Sequence, residues 1–168
     1  GDIGIPAAVR TRRPVRHYLL DGHALRDLPA PAPEAHKNSF GHVLVLGGAP
    51  GLSGAGHLAA AAALRAGAGL VSAAAPEHSL AAIKSGWPEI MTLALGESGA
   101  VRWPASLPEP LRELLRRCTA LVVGPGMGRG DDAAAFLAAL LELPDRPPAV
   151  IDADALILLS RNRALLSR

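Results

Sequence analysis

Five short apolar runs, each followed by a stretch of helical spacing, constrain this chain more than any other feature. The runs cover residues 43–46, 69–75, 90–95, 120–123 and 149–151. They are continuous rather than alternating, so both faces of each strand are expected to be buried, as in a parallel sheet. Residues 54–67 set Leu58, Ala61, Ala62 and Arg65 at helical spacing and close on Gly67. Pro76-Glu77 opens a helix that reaches Ala82, with proline at its start and an acid in its first turn. Residues 107–117, 131–143 and 153–160 continue the alternation. The pattern predicts an α/β domain: a three-layer sandwich around a mainly parallel sheet, with right-handed crossovers.

Composition narrows the function classes. A length of 168 residues suits one domain. Aromatics are only 3%, so the core must be built from Ala, Leu, Val and Ile. Residues 1–38 hold six Lys/Arg and four Asp/Glu, whereas residues 39–168 hold eleven of each, so the net charge of +2 sits in the N-terminal arm. No basic stripe is interleaved with aromatics, and nucleic acid is not an expected partner. The apolar stretches, such as 58–64, are too short to cross a bilayer, and no signal peptide is visible, so no membrane association is expected. The single cysteine, Cys118, leaves no internal disulfide, fits a reducing cytoplasm, and is expected to be a buried structural thiol. Histidines 17, 23, 36, 42, 57 and 78 form no i, i+4 pair, so no zinc site is expected.

Residues 7–38 carry Pro14, Pro29, Pro31 and Pro33, several arginines and little periodicity. They read as a linker, with one short helical turn near 19–25 and a stiff, extended Pro-Ala-Pro-Ala-Pro at 29–33. The composition shifts near Phe40, which makes 39–168 the folded domain. The chain opens on Gly1-Asp2-Ile3-Gly4-Ile5-Pro6 without an initiator Met, as a piece of a longer protein would.

In open α/β sheets ligands bind beyond the carboxyl ends of the strands. Three such ends stand out. After residues 43–46 comes Gly47-Gly48-Ala49-Pro50-Gly51-Leu52-Ser53-Gly54-Ala55-Gly56, five glycines between a strand and a helix. Glycine lets a ligand come close to the backbone, and the helix start beyond it favours an anion. The second end is Gly124-Pro125-Gly126-Met127-Gly128-Arg129, where Asp131 or Asp132 can cap the following helix. Two such loops can form two walls of one crevice. The third is Ile151-Asp152-Ala153-Asp154, where one carboxylate can meet a ligand or metal and the other can cap the next helix. The plainer alternatives are loops without a ligand and acids on a solvated surface. Gly54-Ala55-Gly56-His57-Leu58-Ala59 also fits a dinucleotide fingerprint, with Glu77 at the position of a ribose-binding acid, but the strand ends seven residues too early. Neither a Gly-x-Ser-x-Gly elbow nor a Walker A loop is present.

Several segments in order resemble the ADP/ATP-dependent NAD(P)H-hydrate dehydratases. They are His36-Lys37, Phe40–Gly48, Gly54-Ala55, Ala63–Val71, Pro88-Glu89-Ile90-Met91, Gly124–Gly128 and Asp152-Ala153-Asp154-Ala155-Leu156. The opening residues 1–6 resemble the end of the epimerase domain that precedes the dehydratase in bifunctional repair proteins, with residues 7–38 as linker. The resemblance implies a ribokinase-like fold, present as an N-terminal portion. It implies nicotinamide nucleotide repair: ADP or ATP, with Mg²⁺, phosphorylates the hydroxyl of (S)-NAD(P)H-hydrate, and phosphate then leaves to restore NADH or NADPH. Carried over by motif, Gly54, Ala55, Gly126 and Gly128 would bind the hydrated dinucleotide, and Asp152 and Asp154 would support the floor of the cleft. The family's Asp-Ala-Asp-Ala-Leu-Asn has Ile157 in place of its Asn. Its catalytic Asp belongs to a Gly-Thr-Gly-Asp segment expected downstream of Arg168, so the chain alone is expected to be inactive. The full-length protein is expected to be a cytoplasmic homo-oligomer acting on a small-molecule substrate. A non-catalytic Rossmann-like dinucleotide-binding module and a ribokinase-like small-molecule kinase are the alternatives.

Overall fold

The computed structural model describes residues 31–167, together with Pro6, Ala8 and Gly22. The chain divides into Gly1–Glu34 and Ala35–Arg168. The helical turn expected near 19–25, Gly22 apart, and most of the segments 1–6 and 7–38 lie outside the described residues.

The second unit is built on five parallel strands: β1 (His42–Leu46), β2 (Leu70–Pro76), β3 (Met91–Leu95), β4 (Ala120–Val123) and β5 (Ala149–Ile151). Their order across the sheet is β3-β2-β1-β4-β5. The helices are α1 (Ser53–Arg65), α2 (Leu80–Lys84), α3 (Glu109–Arg117), α4 (Asp131–Leu141) and α5 (Asp154–Arg161). Right-handed crossovers place α1 and α2 on one face of the sheet and α3 and α4 on the other.

The central strand β1 is flanked by β2 and β4, with Val43 beside Val71 and Ala120, and Leu46 beside Ala74 and Val123. Leu44, Val45, Leu46, Val71, Ala74 and Val123 are fully buried. Small residues on α1 let it sit close to the sheet: Gly56, Ala60 and Ala61 are its buried positions. On α3, Leu111, Leu114 and Leu115 face inward at i, i+3 and i+4. The exposed Glu109–Arg116 pair on the same helix, 2.9 Å apart, is worth little in water. Trp103 and Phe136 pack their rings at 4.8 Å and 39°.

Two expectations need correction. The edge strands are not buried on both faces: Met91, Thr92 and Ala94 on β3, and Ala149 and Val150 on β5, are exposed. Among the described residues each edge strand pairs on one side only. The segment after β2 also starts differently. Pro76 belongs to the strand, opposite Leu95, and a 3₁₀ turn over Glu77–Ser79 precedes α2.

Candidate functional site

β1 and β4 are neighbours in the sheet, yet α1, β2, α2, β3 and α3 separate them in the chain. Their following connections leave toward opposite sides, which makes the gap beyond their carboxyl ends the topological switch point. Both glycine loops meet there. The Gly48 N–H donates to the Pro125 carbonyl at 2.8 Å, and the Ala49 N–H to the Gly126 carbonyl at 2.7 Å. The Gly124 N–H donates to the Leu46 carbonyl at 2.9 Å. The loops are therefore laced together by main-chain bonds, which fixes one relative to the other.

Two glycines of the β4 loop are dictated by close packing, Gly124 against the β5–α5 turn and Gly126 against the start of α1. Gly124 has φ +118°, and a side chain there would overlap the Asp152 carbonyl oxygen and approach the Ala155 Cβ to 2.7 Å. Gly126 has φ +61°, and a Cβ would lie 2.6 Å from the Leu52 carbonyl oxygen and 2.9 Å from the Ala55 Cβ. Gly54 is different. It sits in the first turn of α1 with ordinary helical backbone, and a Cβ there would meet nothing within 4 Å. The protein itself makes no use of its missing side chain. Glycine in a helix costs about 0.5–1 kcal/mol relative to alanine, and no close approach by a described residue offsets that cost at Gly54. At Gly128 the space is also open, with the Ala49 Cβ 4.0 Å away.

The helix starts around the gap differ in charge. Asp131 and Asp132 lie in the first turn of α4, and Asp154 in that of α5, while α1 has no acid in its first turn and no side-chain cap. The start of α1 is thus the one of the three left open to a foreign anion. The expected caps do not form. Gly130 and Ala153 occupy the N-cap positions, and neither α4 nor α5 has a side-chain cap bond. Asp132 instead accepts the Trp103 main-chain N–H at 3.0 Å.

Asp154 is turned back onto the β4 loop. It accepts the Gly128 N–H at 3.0 Å and the Arg129 Nε at 2.6 Å. Those two donors, the guanidinium first, hold its carboxyl below the usual range against the opposing effect of burial. The Arg161 guanidinium donates to the Arg129 carbonyl at 3.1 Å, which anchors the same loop to the end of α5. Between the two aspartates, Ala153 has φ +50°, a region that costs a non-glycine residue about 1–3 kcal/mol. The turn is held by the Asp152 carbonyl, which accepts the Ala155 N–H at 3.2 Å. The Asp152 side chain is exposed on the outside of this turn.

All six expected site residues therefore gather at the carboxyl edge of the sheet. Gly54, Ala55 and Gly126 form the α1 side of the gap, and Gly128, Asp152 and Asp154 the β5 side. Trp103 is an addition that the sequence reading did not include. Its indole N–H donates to the Met127 carbonyl at 2.8 Å in a buried setting, under the middle of the β4 loop. Its only signal in sequence is that it is one of two tryptophans in a chain poor in aromatics. His57 is structural: its Nδ1 lies 2.9 Å from the Ile83 carbonyl and ties α1 to α2.

A parallel α/β sheet with two glycine loops bonded together at its switch point is the class of fold that the structure defines. A ribokinase-like superfamily protein from Enterococcus faecalis shares this fold with a TM-score of 0.67 over 80% of this chain and 44% of that one, at 22% identity. The family model for NAD(P)H-hydrate dehydratase matches residues 43–168, and the chain belongs to that family. It is 41% identical over 167 residues to the bifunctional NAD(P)H-hydrate repair enzyme Nnr of Moorella thermoacetica, covering 99% of this chain and 31% of the relative. It is 36% identical over 148 residues to the ADP-dependent (S)-NAD(P)H-hydrate dehydratase of Xanthomonas campestris, covering 86% of this chain and 49% of the relative. The crystal structure of the ADP/ATP-dependent NAD(P)H-hydrate dehydratase from Bacillus subtilis co-crystallized with ATP/Mg²⁺ aligns with a TM-score of 0.62 at 26% identity, over 80% of this chain and 44% of that one. The chain thus spans from about a quarter to half of the length of the curated relatives it matches.

Proposed function

We propose that this chain carries the substrate loops of an ADP- or ATP-dependent (S)-NAD(P)H-hydrate dehydratase. The observation that carries the reading is the acid-free start of α1, with Gly54 open to solvent, set against a β4 loop laced to the β1 loop. In this reading the Ser53 and Gly54 N–H groups at the start of α1 take an anionic group of the hydrated dinucleotide, the Ala55 N–H being bonded to the Leu52 carbonyl at 3.1 Å. Ala55 and Gly126 form the wall beside it, and the Gly128 backbone approaches from the other side. Asp154 acts through the loop as a positioning residue, and Asp152 lends negative charge at the rim.

The chemistry fits the cofactors. Hydroxide is a poor leaving group, so the added hydroxyl is first phosphorylated by the nucleotide. Phosphate then departs as the ring loses a proton, and the nicotinamide double bond returns. Such transfer asks mainly for positioning and charge stabilisation. Among the described residues no group of three or more His, Cys, Asp or Glu could hold a metal ion. They do not build a cage for Mg²⁺, which in sites of this kind is held largely by nucleotide phosphates and water. Neither Asp152 nor Asp154 is proposed as the base. The family resemblance gives that role to an Asp in a Gly-Thr-Gly-Asp segment, which these 168 residues do not contain. The reading carries with it a cytoplasmic homo-oligomer that engages neither nucleic acid nor membrane, with the preceding residues 1–6 and 7–38 as epimerase tail and linker.

The test is recovery of NADH absorbance from (S)-NADH hydrate with ADP and Mg²⁺, in the protein as its gene encodes it. ADP-dependent recovery that weakens in Gly54→Leu is expected. Equal binding of NADH and its hydrate, indifferent to ADP, would favour a plain dinucleotide-binding module. Phosphorylation of a small alcohol without elimination would favour a kinase.

A further inference from the structure

The opposite end of the sheet carries a second polar cluster that the dehydratase reading does not use. His42 and Ser72 stand on adjacent strands, with His42 Nε2 and Ser72 Oγ 2.9 Å apart, and Ser72 is only 3% exposed. The His42 main-chain N–H is spent on Thr119 Oγ1, at 2.9 Å. Two polar groups are left over. The Arg117 guanidinium forms no ion pair or hydrogen bond among the described residues, and His42 Nδ1 has no partner among them.

Both residues line a cavity of about 380 Å³, whose apolar wall is Leu70, Met91 and Leu114. That volume lies within the range of small-molecule sites, about 300–1,000 Å³. Among the described residues no Asp or Glu lines it, and the one fixed charge they place in its wall is positive. In the tautomer protonated on Nδ1, Nε2 accepts from the Ser72 hydroxyl and Nδ1 becomes a second donor beside Arg117; this is the tautomer that an anion in the cavity selects. Burial and the Arg117 charge hold the imidazole below its ordinary pKa, so it is neutral near pH 7 while the cavity is without an anion.

We propose that this cavity at the amino edge of the sheet binds a small organic anion. Arg117 and His42 hold the acid group, and the apolar body lies against Leu70, Met91 and Leu114. The strands of four to seven residues put it about 15 Å from the glycine loops, so it is separate from the dinucleotide site.

The chain's two methionines report on the two ends. Met91 lines this cavity, and Met127 sits in the β4 loop. Methyl-¹³C methionine spectra of the full chain, assigned through Met91→Leu and Met127→Leu, are recorded against benzoate, phenyl phosphate and uncharged benzyl alcohol. Either anion should shift the Met91 methyl saturably in the millimolar range and leave Met127 in place, and the tighter of the two identifies the acid group. Arg117→Gln, at an exposed position, should weaken that binding about tenfold or more, and His42→Gln by less. Benzyl alcohol should bind no better than the Arg117→Gln protein binds the anions. The proposal is overturned if neither anion moves Met91, if the shift appears at Met127 instead, or if Arg117→Gln binds as tightly as the parent. NADH serves as the independent control: it should move Met127 and not Met91, and its failure would count against the dinucleotide reading alone.

Discussion

The Trp103 indole N–H donates to the Met127 carbonyl at 2.8 Å, from below a loop whose upper side is laced to a second loop. Met127 therefore has its backbone fixed from inside the core while Gly126 and Gly128 on either side remain at the gap. Trp103→Phe keeps an aromatic ring against Phe136 but leaves the Met127 carbonyl buried without its donor. Losing a buried partner costs about 1–3 kcal/mol. We expect that loss in urea unfolding, together with a several-fold weaker affinity for the dinucleotide. Unchanged affinity in a folded Trp103→Phe protein would remove Trp103 from the positioning of the loop.

Asp154 makes a pH-dependent contribution whose sign follows from its partners. The Arg129 guanidinium and the Gly128 N–H lower its native pKa. The stabilisation is complete above the ordinary Asp value of about 3.9 and is lost as pH falls through the depressed native value. The Arg129 side chain is 59% exposed, so solvent screens the pair and its share stays near 1 kcal/mol. Asp154→Asn should lower stability by roughly that amount at neutral pH, and the two proteins should converge in acid. Parallel urea midpoints down the acid limb would show that the carboxylate charge contributes nothing.

Cys118 should be inert in the folded chain. It is buried, and that burial pushes its thiol up to about 11, with the nearby Arg117 charge acting in the opposite direction. The free value is about 8.5, so at pH 8 the native thiolate fraction falls by about two orders of magnitude. Iodoacetamide should label the native chain that much more slowly than the urea-unfolded one. The stabilisation from burying the thiol is present below about 8.5 and fades as pH rises toward the native value. Fast native labelling would place Cys118 at the surface.

Much of the fold is legible in the residues because the strands are continuous aliphatic runs. β4 and β5 begin and end where Ala120–Val123 and Ala149–Ile151 meet polar residues, glycine or proline. The crossing of the two glycine loops is another matter. It depends on β1 and β4 being adjacent, and strand order is not written in local periodicity. The roles of the acids fail for a similar reason. Asp132 and Asp154 stand where helix-capping residues are common, but a Trp103 N–H 29 residues away and an Arg129 side chain 25 residues away offer better partners. Trp103 itself lies in an irregular stretch before α3, where no periodic signal marks it as core.

Gly54 and Gly124 separate a glycine kept for a ligand from one kept for the fold. Alanine at Gly124 would have to adopt φ +118° and overlap the Asp152 carbonyl, so Gly124→Ala should cost about 3 kcal/mol or more. Alanine at Gly54 meets nothing within 4 Å and suits the helix better, so Gly54→Ala should stabilise the chain by about 0.5–1 kcal/mol. Its methyl would nevertheless project from the open start of α1, where the dinucleotide is proposed to lie. We therefore expect a protein that resists urea better than its parent and binds the dinucleotide less well, measured on the same preparation. A gain in stability with no loss of binding would mean that the ligand does not approach Gly54, and the acid-free start of α1 would then need another occupant.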